Sequence, residues 1–232
     1  MVKSGNIVKK ITSREIRAIK RYVPHETARR LSLYLRSLKM LDRKKKTLAS
    51  SEDITRFLNV SSVQFRKDLS YFGGFGKRGV GYKVKVLMKE IEKILGTDAV
   101  RKIALVGVGK LGSALLGYTG FPEFNLQIVA AFDADPDKIG KIKRGFKIGS
   151  ISSMKEITKK EGIKVAILSV PAESAQKVAH DLARCGIKAI LNFAPVNLVL
   201  PKDVFVSNVD MASELEGLIY KLKRNACMRR TL

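Results

Sequence analysis

Gly107-Val108-Gly109-Lys110-Leu111-Gly112 sets three glycines at the spacing G-x-G-x-x-G. Such glycines permit a tight turn, a close approach of backbone to a pyrophosphate, and close packing of the helix that follows, whose N-terminus faces the anion. The spacing alone says little. Here it lies between the β-rich run Lys102-Ile103-Ala104-Leu105-Val106 and a helix pattern continuing through Ala114, Leu115 and Tyr118, the context it requires. Lys110 inside the loop is either a phosphate contact or a solvated cation. A second run, Gln127–Phe132, ends at Asp133, about 20 residues beyond the last glycine. A carboxylate there bonds both hydroxyls of an adenine ribose and repels a 2′-phosphate, favouring NAD(H) over NADP(H). The plainer alternative for Asp133 is a turn residue ahead of Asp135-Pro136. Two further runs, Val165–Val170 and Ala189–Phe193, complete the strand pattern. Ligands of doubly wound sheets lie beyond the carboxyl ends of the strands, which puts Ser169, Pro171, Asn192 and Phe193 at the nicotinamide end of a dinucleotide.

A second chemistry is written nearer the N-terminus. Ser50-Ser51-Glu52-Asp53 opens a short helix with a capping box from Ser50 to Asp53, and its apolar positions are Ile54, Phe57 and Leu58. After the turn Asn59-Val60-Ser61, Ser61 caps a helix from about Ser62 to Phe72. Phe65, Leu69 and Phe72 form its apolar stripe; Gln64, Arg66, Lys67, Ser70 and Tyr71 fall away from it. Arg, Lys and Gln can bond base edges, and Ser and Tyr hydroxyls suit phosphates, so the pair reads as a helix-turn-helix with a recognition helix. By itself a basic helix face is equally an ordinary solvated one. The stretch Gly73–Tyr82 is glycine-rich, and Tyr82, Val84 and Val86 then alternate with Lys83 and Lys85 as a short strand. That predicts a hairpin wing with Lys77 and Arg78 at its tip, reaching phosphates or a minor groove. A Walker phosphate loop is excluded by spacing.

The elements that carry these residues divide into two sets. The chain has 232 residues and a formal charge of +24. Residues 1–85 hold 22 Lys/Arg against 6 Asp/Glu, whereas residues 86–232 hold 23 against 15. The basic third asks for a polyanion, nucleic acid most simply. After a basic arm (1–23), Leu31, Leu35 and Leu38 mark a first helix that ends before Asp42-Arg43-Lys44-Lys45-Lys46. The predicted organisation is a winged helix-turn-helix domain over 24–95, a Rossmann-like doubly wound parallel sheet over 96–209 and a C-terminal helix and tail over 210–232, an α/β protein. In the last helix Leu215, Leu218, Ile219 and Leu222 make one apolar face, which packs on its own domain or on a second subunit.

Cys185 and Cys227 lack CxxC spacing, so neither a disulfide framework nor a metal site is expected. No apolar run approaches about 18 residues and no secretory h-region opens the chain, which predicts a cytoplasmic protein without membrane contact. Hydride transfer usually needs an acid/base, most often a histidine. His25 lies in the basic region, His180 sits mid-helix, no S-x-x-x-Y-x-x-x-K pattern is present, and no length remains for a substrate domain. A nucleotide sensor coupled to DNA binding fits better than an enzyme.

From about Thr27 to Leu222 the sequence resembles the redox-sensing transcriptional repressors called Rex. The resemblance is carried by Phe65-Arg66-Lys67-Asp68-Leu69-Ser70-Tyr71-Phe72-Gly73, Arg78-Gly79-Val80-Gly81-Tyr82 and Val106–Gly112, and further by Phe132-Asp133-Ala134-Asp135-Pro136, Val170-Pro171-Ala172, Ile190–Pro195 and Val209-Asp210. It implies a homodimer with exchanged C-terminal helices that holds an inverted-repeat operator of double-stranded DNA, releases it when NADH binds, and keeps it when NAD+ binds weakly. It also implies that Tyr118 and Asp210 lie near the nicotinamide at the subunit interface, and that Arg36 pairs with Asp210 in one state only. Lys110 stands where many relatives have Asn, and the arm 1–23 is longer and more basic than theirs. The competing readings are a nicotinamide-dependent reductase with a basic accessory domain, and a repressor that senses another adenine nucleotide such as coenzyme A.

Overall fold

The computed structural model describes residues 23–76 and 79–229; residues 1–22 of the basic arm, and Lys77 and Arg78, lie outside the described residues. The chain splits into two units, Met1–Ala99 and Val100–Leu232.

In the first unit, helix α1 (His25–Arg43) buries Leu31, Tyr34, Leu35 and Leu38 along one face. It runs two residues into the charged cluster expected to stop it and turns through Lys45, whose φ is +57°. Strand β1 (Leu48–Ala49) leads to α2 (Ser51–Thr55) and α3 (Ser62–Ser70). Both caps form as the residue types predict. Ser50 accepts from the Asp53 N–H while the Asp53 carboxylate accepts from the Ser50 N–H, and Ser61 accepts from the Gln64 N–H. Because α2 stops at Thr55, only Ile54 of its three expected apolar positions is fully buried, and Phe57 stands 75% exposed.

The wing departs from expectation. Strand β2 is only Tyr82–Lys83, paired antiparallel with β1 through Ala49↔Tyr82 and Leu48↔Lys83. The residues read as a strand, Val84 and Val86, begin helix α4 (Val84–Leu95). Val84, Leu87 and Ile91 recur at helical spacing and are buried, whereas Val86 faces outward. Three alternating residues satisfy both periods; the longer set, which packs on α1, decides for the helix. Gly96, in the left-handed region, ends α4.

The second unit is a seven-stranded sheet in the order β5-β6-β4-β3-β7-β8-β9. Its strands are β3 (Arg101–Val106), β4 (Leu126–Asp133), β5 (Ile142–Lys143), β6 (Phe146–Ser150), β7 (Val165–Leu168), β8 (Ala189–Asn192) and β9 (Phe205–Asn208). All pairs are parallel except the β5–β6 hairpin. Helices α5 (Lys110–Leu116), α6 (Met154–Glu161), α7 (Ala172–Arg184) and α8 (Met211–Arg229) connect or follow them. Alternation along β3 feeds two cores: Ala104 and Val106 join Phe132, Leu168 and the α7 residues Ala175, Ala179 and Leu182, while Ile103 and Leu105 join Leu116, Ile128 and Ile167. A sheet buried on both faces is the doubly wound arrangement. The chain leaves β3 for β4 on one side and returns to β7 on the other, so the order reverses beyond the carboxyl end of β3.

Candidate nucleotide site and nucleic-acid interface

The glycine loop stands at that reversal. Gly107 has φ +94°, and a Cβ there would lie 2.4 Å from the Ser169 carbonyl oxygen. A Cβ on Gly112 would lie 1.9 Å from the Gly107 carbonyl oxygen, so α5 can begin this close to the loop only with glycine there. Gly109 differs: a Cβ on it would meet nothing within 4 Å. The protein's own packing therefore does not require the middle glycine, which leaves bare backbone where a pyrophosphate would approach. Gly109 is also the N-cap of α5 and offers no side-chain cap, so the first-turn amides of α5 have no side chain to satisfy them. Those features fit a nucleotide diphosphate.

Asp133 behaves differently from the expected open ribose acceptor. It is buried, and its carboxylate accepts from the Val108 N–H (2.7 Å), the Asp135 N–H (2.9 Å) and Lys138 Nζ (3.2 Å). Burial would raise its pKa, but those backbone donors and the Lys138 ammonium hold it below the usual carboxylate range. The physical reason is the loop itself, whose Val108 amide needs an acceptor. A carboxylate has about four lone-pair sites, so with three filled it offers one ribose hydroxyl a place, and bonds to both would require Lys138 to yield. Lys138, which also reaches Asp135 at 3.3 Å, was not singled out by spacing.

Of the residues beyond β7 and β8, Ser169 donates its hydroxyl to the Gly107 carbonyl at 2.8 Å and ties the loop to the neighbouring strand. Pro171 precedes α7 as its N-cap. The Asn192 side chain is fully buried, donating to the Ala194 and Val196 carbonyls and Asn208 Oδ1 and accepting from the Ala194 N–H, and so shapes the loop after β8. Phe193 is half-buried against the Ile103–Leu105 core. Tyr118 lies beyond the end of α5, exposed, with its ring edge-on to Phe121 at 4.8 Å. Asp210 accepts from the Ala212 and Ser213 amides at the start of α8. His180 is exposed on α7.

On the first unit, Phe65 anchors α3, edge-on to Tyr34 at 4.8 Å and to Tyr82 at 5.3 Å. Asp68, inside the apolar stripe, is fully buried and was missed by periodicity. It accepts from Arg30 Nε and Nη2 (2.6 and 2.7 Å), the Tyr34 hydroxyl (2.7 Å) and Gln64 Nε2 (2.8 Å). Burial would raise its pKa, yet Arg30, Tyr34 and Gln64 hold it below the usual range. The Gln64 amide is thus turned inward. Arg66 also folds back, Nη1 donating to the Ser51 hydroxyl at 2.7 Å and lying 3.5 Å from Glu52. Lys67 and Ser70 remain exposed and Tyr71 half-buried. Val63, 65% exposed in the first turn of α3, is an apolar residue that sequence reasoning passed over.

Residues 22–70 match the family described as "Putative DNA-binding protein N-terminus", and residues 98–196 match the "CoA binding domain" family. The redox-sensing transcriptional repressor Rex of Lactobacillus gasseri is 45% identical over 200 residues, 86% of this chain and 94% of the relative. That of Listeria welshimeri is 42% identical over 201 residues, 87% of this chain and 94% of the relative. The chain belongs to the Rex family. A crystal structure of RSP in complex with β-NAD+ and operator DNA superposes with a TM-score of 0.83 at 33% identity, covering 91% of this chain and 97% of that one. RSP in complex with β-NADH gives a TM-score of 0.80 at 31% identity, covering 92% and 100%. A Rex chain is a transcriptional repressor rather than an enzyme.

Proposed function

We propose that this Rex protein binds an inverted-repeat operator as a homodimer, senses the ratio of NADH to NAD+ at the glycine loop, and leaves DNA when NADH binds. The observation that carries it is the joint presence, on one chain, of a winged-helix unit and of a loop whose middle glycine is bare for reasons other than packing. RSP, a Rex-family repressor of the same architecture, has been crystallised with NAD+ and operator DNA and with NADH.

In this reading Gly107, Gly109, Leu111, Gly112 and Lys110 surround the pyrophosphate. Asp133 holds Val108 and accepts one adenine-ribose hydroxyl, and Ser169, Pro171 and Phe193 border the nicotinamide with Asn192 shaping their loop. Tyr118 and Asp210 complete that end, and Arg36 pairs with Asp210 in one state. Lys67, Ser70 and Tyr71 of α3 meet the major groove, Ser61 and the wing residues Lys77 and Arg78 meet phosphates, and Gln64 and Arg66 must release Asp68 and Glu52 before they can reach bases. A ligand shifts an equilibrium only by its differential affinity for two states, so NADH must bind the DNA-free arrangement more tightly than the DNA-bound one, and NAD+ must discriminate less between the two. Acting on chromosomal operators places the protein in the cytoplasm.

The test is fluorescence anisotropy of a duplex selected by the protein from a random pool, at fixed salt, titrated separately with NADH, NAD+ and coenzyme A. Release by NADH at concentrations where NAD+ is inert is expected. Release by coenzyme A alone would move the sensor to the ligand suggested by the match over residues 98–196, and indifference to all three would remove the nucleotide from the reading.

A further inference from the structure

The basic character of the first unit extends past the recognition helix and the wing. Lys45 closes α1 in the left-handed region, with its N–H donating to the Asp42 carbonyl at 2.8 Å and the Lys46 N–H to the Leu41 carbonyl at 3.0 Å. Helices that close in this way usually carry glycine at the left-handed position, because a Cβ there is strained. This chain carries a lysine instead. Lys45, Lys46, Lys83 and Lys85 line a shallow cavity of about 520 Å³ between that turn and the start of α4, with Asp42 its one acid. Lys46 is paired with Asp53 at 2.8 Å, and Lys83 and Lys85 point from β2 and α4 into solvent. Leu48, Lys83 and Val86 are shared with a neighbouring depression that runs beneath Phe75, Gly76, Val80 and Gly81 at the base of the wing. One continuous surface thus leads from the wing to the lysines.

We propose that Lys45, Lys83 and Lys85 form a second phosphate track, which extends the contact of each first unit past the wing onto DNA flanking the operator. The inference rests on the reading that this unit binds duplex DNA. A duplex backbone fits better than a small anion because the lysines are spread over a turn, a strand and a helix and continue the wing surface, rather than converging on one point. The charge of Lys45 then gives a reason for a lysine at a position that favours glycine. The contacts are to phosphates and carry no base sequence, so they add affinity and salt dependence without changing operator choice.

Full-length protein carrying Lys45→Gly, Lys83→Gln and Lys85→Gln is compared with the parent on two duplexes. One is the selected operator alone; the other adds about 10 base pairs, one helical turn, on each side. The parent should bind the flanked duplex roughly tenfold more tightly at low salt, with a slope of log affinity on log salt steeper by about 0.9 for each added phosphate contact. The variant should lose that advantage and that extra slope while matching the parent on the short duplex. Its melting temperature should be unchanged or higher, since Lys45→Gly relieves a strained turn. An unchanged flank advantage overturns the proposal, as does an equal loss on both duplexes, which would assign the lysines to the operator itself or to folding. If the parent selects no duplex at all, the DNA-binding reading fails instead.

Discussion

The most consequential single residue in the first unit is one that touches no proposed ligand. Asp68 is a fully buried carboxylate, tolerable only because Arg30 meets it with two nitrogens and Tyr34 and Gln64 add donors. Its folded pKa is depressed, so its contribution to stability is complete above the unfolded carboxylate value near 4 and is lost as pH falls through the lower folded value. Asp68→Asn keeps the shape and removes the charge, and should cost about 3 kcal/mol in urea unfolding at pH 7. The gap between parent and variant should narrow in the same measurement as pH drops below the usual carboxylate range; a pH-independent gap would mean that the charge contributes nothing. Neither Asp68 nor Asn192 was legible in the sequence as a structural hub. Local spacing reports which face a residue occupies, but Arg30 and Tyr34 lie 38 and 34 residues from Asp68, and Asn208 lies 16 from Asn192. Gly107 and Gly112 were legible because their constraint is local, being the conformation of Gly107 and the approach of Gly112 to it, whereas Gly109 meets no such packing constraint.

At the scale of elements, residue types with a single physical purpose read correctly, and short apolar alternations did not. Ser50 and Ser61 cap α2 and α3 as placed, whereas Val84 and Val86, read as strand, belong to a helix whose later turns supply the burial. Contact between the first two of these helices also has a consequence for binding. Glu52, at the start of α2, is held near pKa about 2 first by its own backbone N–H and then by the Ser62 hydroxyl, so it is ionised at every physiological pH. It stands 3.5 Å from Arg66, the arginine expected to face DNA. A carboxylate in that place both restrains the arginine and opposes phosphates. Glu52→Gln should therefore tighten operator binding roughly two- to fivefold, the scale of an exposed ion pair, as read by anisotropy at fixed salt. Weaker binding would show instead that Glu52 orients Arg66 for its base contact.

For the molecule as a whole, the charge is concentrated in the first third of the sequence and the chain splits into Met1–Ala99 and Val100–Leu232, while the C-terminal helix leaves two outcomes open. On α8, Leu215, Leu218, Ile219 and Leu222 stand 54 to 70% exposed, with Tyr220 and Met211 beside them. Periodicity could not distinguish packing on its own sheet from packing on another subunit, because both need the same stripe. Helix α8 leaves that stripe outside both cores of its unit. A large contiguous apolar face is seldom left in water, and an inverted-repeat operator needs two recognition helices at a fixed separation. A second copy of α8 satisfies both conditions. Leu215→Glu together with Leu218→Glu should give a monomer by sedimentation, with each unit still folded by circular dichroism. Linkage of two half-site contacts typically multiplies affinity by 10² or more, so operator affinity should fall about 100-fold while the weak binding of an isolated half-site persists. A variant that remains dimeric would move the interface off α8, and a monomer that binds the full operator unchanged would separate dimerisation from DNA recognition.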